Sequence, residues 1–563
     1  MMKFVSRVFL MLILFSSLEL IAAVHVFAEA PGVIVVIGSD AVWAKADSPY
    51  VLTGPVFVAN DATLTIEAGV EVDLDGYYIT VNGTLLVLGT SSERIQMTNG
   101  EKIEFTEFST GWNKETGLGG IISHANVTCP IFSSVSLKLD TCILATLDVE
   151  DSVLVSNSEI GGRVTVGNSS EIYDNILGDR VLVGGSSVIC NNNINGSIKG
   201  ECVTVSNNTV MGHVGVDYST VSNNMIIGGI SGESLTITGN VATAQENPDG
   251  VFAIGGAAIR ISGGTSVISG NTLDGGGYRF DWGGRGSGTI GTIDVGSCSA
   301  VISDNVIDGE GIYLTGDCDS LVIANNTIDS GIFCKLITWE GTRAVFDVNS
   351  FEITGNVITG TIEVKASYLS VSNNLLVGSI GTGLEFSVHG ETISSISDNT
   401  ISGFFTGISG TTTKGVLIKK NLIINNTRGI ECTALNMRVQ NNTITNNTIG
   451  IYEGSPSAII RYNNIENNTE NSIYLETTTE NIDARYNWWG TADHQAVNLT
   501  IRDHKYDFDV GTVTFTPFLT EPNPEAVPNE IPEFSAWLVL LLFLVATLVG
   551  SVYRKRMKKQ EIV

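Results

Sequence analysis

The sequence predicts an all-β chain: a single-stranded right-handed parallel β-helix followed by one C-terminal transmembrane helix. Three observations predict it. A short Asn-centred pattern recurs every 16 to 25 residues over much of the chain, the composition is poor in helix formers, and a 20-residue uncharged segment lies near the C-terminus.

The repeat is an aliphatic residue, two residues, Asn, one residue and a second aliphatic residue. It reads Ile302-Ser-Asp-Asn305-Val-Ile307, Ile353-Thr-Gly-Asn356-Val-Ile358 and Val439-Gln-Asn-Asn442-Thr-Ile444. The anchors are Asn175, Asn192, Asn208, Asn224, Asn240, Asn271, Asn305, Asn326, Asn356, Asn374, Asn399, Asn421, Asn442, Asn463 and Asn487. Early steps are 17, 16, 16 and 16 residues, and those after Asn399 are 22, 21, 21 and 24. Such lengths are too short for a strand plus a packed helix. They suit one turn of a coil of three short strands at about 3.3 Å per residue. Asn is expected at a sharp corner because it tolerates the left-handed α conformation. Its amide donates and accepts, so stacked asparagines can bond up the axis. The anchors, including Asn240, Asn326, Asn374 and Asn399, are therefore read as a structural ladder and not as ligands.

Three anchor gaps are long: 31 residues (240 to 271), 34 (271 to 305) and 30 (326 to 356). Each is either an insertion or a second coil without Asn. For 240–271 a hidden coil is expected, since 258–264 reads as a strand and corner; for 271–305 both readings stand.

The ends predict export and anchoring. Residues 1–30 read as a signal peptide: Lys3 and Arg7, an apolar run from Val8 to Phe15, then small residues ending at Ala28 or Ala30. An uncleaved anchor is disfavoured by Glu19 and His25. Residues 31–518 form the β-helix ectodomain with an N-terminal cap and a C-terminal Trp cap, and 519–533 a Pro-rich stalk. Residues 534–553 are long enough to cross about 30 Å of hydrocarbon. The tail 554–563 holds five cations within six residues, which keeps it cytoplasmic and the rest outside. The predicted location is therefore the cell membrane, single-pass, with the β-helix at the cell surface.

Net charge is −29, which argues against nucleic acid and phosphate surfaces as partners. Eleven Asn-x-Ser/Thr sequons, among them Asn82, Asn126, Asn168, Asn325, Asn446 and Asn498, fit a glycoprotein outside the cell, although an Asn- and Thr-rich chain also makes them by chance. The eight cysteines show no metal-ligand spacing. Cys298 and Cys318, about one coil apart, could stack or pair.

The repeats resemble the NosD-like and carbohydrate-active β-helix families of archaeal and bacterial surface proteins, over roughly residues 50–520. The opening Ala62–Val72 and Ile79–Leu88 are similar to their first coils, and Tyr486-Asn487-Trp488-Trp489-Gly490 resembles the tail of archaeal members. The paired tryptophans are expected to plug the open core, with sugar stacking as the alternative. Ile531-Pro532-Glu533-Phe534 resembles the PEF-CTERM sorting tail, which implies either a cut or a retained anchor.

The same families include polysaccharide lyases and hydrolases. The chain has no Asp-Asp pair, no Gly-His-Gly and no Arg-Ile-Lys element, and His213 and His389 have no evident carboxylate partner. Asp317 and Asp319 are weak metal candidates. No cofactor is expected, with Ca²⁺ as the one ion the acidic residues could take. The candidate ligand surface is in the long gaps: Tyr278, Asp281, Trp282 and Arg285 in one, Trp339, Glu340 and Arg343 in another. Flat aromatic faces beside charged hydrogen-bonding groups suit polysaccharide or a surface glycan. The functional expectation is a structural or adhesive surface protein with glycan binding. The alternative is a polysaccharide lyase or glycoside hydrolase acting on an acidic polymer. Whether there is an enzyme is left open, leaning to none.

Overall fold

The computed structural model describes residues 33–528, apart from the short stretches 245–255, 277–278, 282–285, 290, 335–336, 340–341, 345–346, 432–435 and 454–457. The predicted signal peptide, the span 534–553 and the tail 554–563 lie outside the described residues. Among those described, no helix is long and apolar enough to cross a membrane. The chain divides into two compact units, up to Val188 and from Ile189. Both are parallel β-helices.

In the first unit each strand pairs with the equivalent strand about one coil later. Thus Ala41–Trp43 pairs with Leu64–Ile66, Thr63–Ile66 with Thr84–Val87, and Leu86–Leu88 with Ile121–Ser123. Alternation sends Leu64, Leu85, Ile122 and Leu139 inward, where each is fully buried. Burying such a side chain contributes about 1.5–3 kcal/mol, so each rung supplies its own core.

The second unit repeats a coil of three strands, exemplified by Arg428–Glu431, Met437–Gln440 and Thr443–Thr445. Its first strands stack Ile312, Ile332, Ile362, Leu384, Ile408, Ile430, Ile451 and Ile473 into one aliphatic column, all fully buried.

Asparagine forms an unbroken ladder from Asn192 to Asn487. The Oδ1 of each accepts from both the backbone N–H and the Nδ2 of the anchor one coil earlier, at 2.8–3.0 Å. Its Nδ2 also donates to a carbonyl of the preceding coil and, at nearly every rung, to the carbonyl two residues before it. The left-handed residue, however, is the one before the anchor: Asn207 (φ 56°), Asp304 (57°), Lys420 (55°), Tyr462 (60°). The corner expectation was therefore one residue out. The anchor itself turns inward and satisfies backbone groups that the corner leaves free.

The ladder also corrects the reading of the long gaps. Asn240 bonds directly to Asn271, Asn271 to Asn305 and Asn326 to Asn356, so each gap is one coil with an insertion. Ile259–Ile261 is the ordinary first strand of that coil, paired with Ile230–Gly232. Two of the insertions meet: Arg279–Asp281, Gly286–Thr289, Ile337–Trp339 and Thr342–Ala344 form a four-stranded antiparallel sheet.

At the C-terminal end Trp489 is buried, edge-on to Phe515 with centroids 6.4 Å apart, and the helix His494–Leu499 starts from the Asp493 carboxylate. Beyond it, residues 519–528 lie against the coils. Asn523 and Asn464 exchange two hydrogen bonds (2.7 and 3.0 Å), Thr443 donates to the Ala526 carbonyl, and Ala526 is buried.

Candidate functional site

The aliphatic column fixes what its neighbours do. The residue after each inward Ile points outward, and strand register stacks these residues in one line: Arg260, Asp294, Tyr313, Phe333, Glu363, Glu385, Ser409, Glu431, Tyr452, Tyr474 and Arg502. A second repeat therefore reads Gly-Ile-x, as in Gly311-Ile-Tyr313, Gly331-Ile-Phe333, Gly429-Ile-Glu431 and Gly450-Ile-Tyr452. Glycine is needed at Gly429 because a Cβ there would lie 2.4 Å from the Gly450 carbonyl oxygen.

The second strands have a different character. Their outward positions include Thr204 and Ser206, Thr220 and Ser222, Thr236 and Thr238, Val267 and Ser269, Val301 and Ser303, all uncharged. Over these coils charge and aromatic rings gather on the first-strand column, whereas later second strands carry Glu352, Lys419, Arg438 and Arg461.

The column has two ends with different chemistry. At Arg260 the guanidinium donates to Asp294 Oδ2 (2.8 and 3.2 Å), and the Gly291 N–H donates to Oδ1 (2.9 Å). Asp294 is only 2% exposed, and burial raises its carboxyl above the ordinary range despite Arg260. The Tyr313 and Phe333 rings pack at 4.8 Å, tilted by 49°, and burial, with nearby carboxylates, raises the Tyr313 phenol. At the other end Arg428 lies 3.5 Å from the centre of the Tyr452 ring and 5.3 Å from that of Phe405. Tyr452 stacks on Tyr474 (5.7 Å, 10° between planes), and Arg502 lies 5.1 Å over Tyr474. Burial, reinforced by its hydrogen bond to Glu476, raises the Tyr452 phenol to about 12. Each cation–ring contact is worth about 0.5–2 kcal/mol and holds the side chains in place.

Beside this end runs an open groove of about 630 Å³ lined by Ile380, Phe405, Asn425, Thr427, Asn446 and Thr448. Its floor is a second asparagine ladder. Asn426 Oδ1 accepts from Phe404 N–H, Asn447 Oδ1 from Asn426, and Asn468 Oδ1 from Asn447, at 2.9–3.1 Å. Asn425, Asn446 and Asn467 precede them in the left-handed conformation, with φ of 56–59°. Ile380 is 81% and Phe405 51% exposed. Asn-Asn-Thr at 425–427, 446–448 and 467–469 carried this signal; it reads as glycosylation sequons until the second ladder is seen.

Of the residues singled out in the sequence, Tyr278, Trp282, Arg285 and Glu340 lie outside the described residues. Asp281, Trp339 and Arg343 occupy strands of the inserted sheet, in which Trp339 pairs with Gly286, so the two gaps share one sheet. Asp317 Oδ1 accepts from the Asp347 N–H (2.8 Å) and Asp319 Oδ1 from Asn349 (2.9 Å). Among the described residues no three His, Cys, Asp or Glu side chains converge as a metal site. His389 does have a carboxylate partner: Asp347 Oδ2 lies 2.8 Å from its Nε2, with Ser367 Oγ at 3.3 Å from the same nitrogen. Both partners share one ring nitrogen, so this is not a relay from acid through imidazole to hydroxyl.

Residues 360–489 match the family described as right-handed beta helix region. That stretch carries Glu363 to Tyr474 of the column and the whole groove. No curated protein matches the chain.

Proposed function

We propose that the protein is a glycan-binding β-helix held at the cell surface, which lays an extended polysaccharide along the groove and the adjoining column. The half-exposed Phe405 ring, fixed by Arg428 at the groove's edge, carries this reading. A sugar ring stacks its C–H face on such a ring, while Asn425, Asn446, Thr427 and Thr448 offer the same amide and hydroxyl on successive coils, roughly 4.8 Å apart. A repeating lining suits a repeating polymer. Glu363, Glu385 and Glu431 favour a neutral or amino sugar over an acidic polymer. Export through residues 1–30 and retention through 534–553 would present the groove outside the cell, and the inserted sheet with Trp339 and Arg343 would add a second contact.

The test is a glycan array on the ectodomain followed by calorimetric titration of the best binder. Phe405→Ala should weaken binding about five-fold, the equivalent of about 1 kcal/mol, with no more loss of stability than its single contact with Arg428 accounts for. Unaltered affinity would remove the groove from the binding surface.

A hydrolase is the second reading, because Glu363 and Glu385 are paired directly on neighbouring strands. Strand spacing of about 4.8 Å is close to the roughly 5–5.5 Å between the carboxyls of retaining glycosidases. Release of reducing ends from a neutral polysaccharide, abolished by Glu385→Gln, would establish it. No turnover by the wild type would dismiss it.

A further inference from the structure

The corners between first and second strands hold a chemistry that the column and groove do not use. Cys298 and Cys318 stand at this corner on consecutive coils, both in the interior. Register sets Ala300 opposite Leu321, so Cys298 and Cys318 lie on neighbouring coils one position out of direct register, and Cys318 Sγ lies 3.3 Å from the Gly296 carbonyl oxygen of the coil below. A third thiol, Cys334, is placed elsewhere: register sets it over Leu314 in the aliphatic stack, with its sulfur against the Lys365 carbonyl.

The geometry points to a covalent modification site in which Cys298 and Cys318 are joined as an interior disulfide across two coils. Either cysteine can open the exchange as its thiolate, here taken as Cys318. Cys318 thiolate attacks one sulfur of a small disulfide oxidant, such as glutathione disulfide, and expels one glutathione thiolate. Cys298 then attacks the Cys318 sulfur of the mixed disulfide and expels the second. Two protein thiols become one disulfide, and the oxidant takes two electrons and two protons as two thiols. Because both sulfurs are interior, the exchange belongs to the period before the corner closes over them.

The position gives the bond a purpose. The chain between the two cysteines is one coil, and it is flanked by the segments 277–290 and 335–346 that supply the inserted antiparallel sheet. A disulfide here would clamp the rungs from which both hairpins rise.

The experiment uses the full-length chain, exported on production into an oxidising compartment, denatured without reductant and alkylated. Cutting after Glu310 with a glutamate-specific protease separates Cys298 from Cys318 but leaves Cys318 and Cys334 in one peptide, since the next glutamate is Glu340. The expected result is a cross-linked peptide pair carrying Cys298 and Cys318, which separates on reduction and is absent from Cys298→Ser. Recovery of both as alkylated thiols would overturn the proposal. So would a Cys318–Cys334 link, recognised as a loss of two hydrogens within one peptide.

Discussion

Replacing Asn442 by Ala tests the ladder at a rung where every partner is known. Its Nδ2 donates to the Ile418 carbonyl (2.9 Å), the Gln440 carbonyl (3.1 Å) and Asn463 Oδ1 (3.0 Å). Its Oδ1 accepts from the Asn421 N–H (3.0 Å) and Nδ2 (2.9 Å), and no part of the residue reaches solvent. Alanine removes all five bonds, but the losses differ in weight. Asn421 Nδ2 keeps the Ile396 and Lys419 carbonyls, and Asn463 Oδ1 keeps the Asn442 N–H. The Asn421 N–H is left with no acceptor, and an orphaned buried donor costs about 1–3 kcal/mol. Two weakened carbonyls and a small cavity bring the expected loss to about 2–4 kcal/mol. The assay is urea unfolding, comparing midpoints at a common slope, because a long repeat array need not unfold in two states. Arg438→Ala, on the exposed face of a neighbouring strand, is the control and should change stability by under about 0.5 kcal/mol. Thr443 is unsuitable as a neutral control, since its hydroxyl holds the Ala526 carbonyl. If Asn442→Ala and Arg438→Ala unfold at the same midpoint, the ladder does not stabilise the coils.

Two further perturbations address other parts of the fold. Glu453 is 4% exposed, and its carboxylate accepts from the N–H groups of Glu476, Thr477 and Thr478 and from both threonine hydroxyls. Glu453→Gln turns one acceptor into a donor facing donors, so it should cost about 1–3 kcal/mol and speed hydrogen exchange at the Thr477 and Thr478 amides; unchanged exchange would contradict this. Arg485 and Arg461 hold the Asp483 carboxyl well below the usual carboxylate range. Its folded-state pKa is depressed, so its stabilisation is present above the ordinary carboxylate range and is lost only as pH falls through the lowered value. Asp483→Asn should therefore lower the melting temperature at neutral pH and flatten its fall in acid, and parallel pH profiles for mutant and wild type would refute the assignment.

Local chemistry made the coil legible from sequence. Aliphatic residues two or three positions from each Asn must alternate inward, and an amide that both donates and accepts is one of few groups that can repeat at coil spacing. The Asn192 to Asn487 periodicity therefore determined strand direction, coil length and core. The sequence also singled out Trp488–Trp489 at the closing end, where Trp489 packs against Phe515.

Register and insertion were decided only in three dimensions. Whether 240–271 holds one coil or two depends on which asparagine bonds to which, and the direct Asn240–Asn271 bond answers it. Spacing could not, because an inserted loop and a hidden coil have the same length. Likewise Phe405, Arg428 and Tyr452 are 23 and 24 residues apart, and nothing local links them. They meet because parallel stacking brings non-equivalent positions of successive coils side by side, Arg428 lying opposite Thr406 next to Phe405 and Tyr452 opposite Glu431, while loops of unequal length between strands blur these neighbourhoods in the sequence. Asp347 and His389 meet for the same reason. A solenoid writes its core into every repeat, whereas its binding surface is written across repeats and becomes visible only once their register is known.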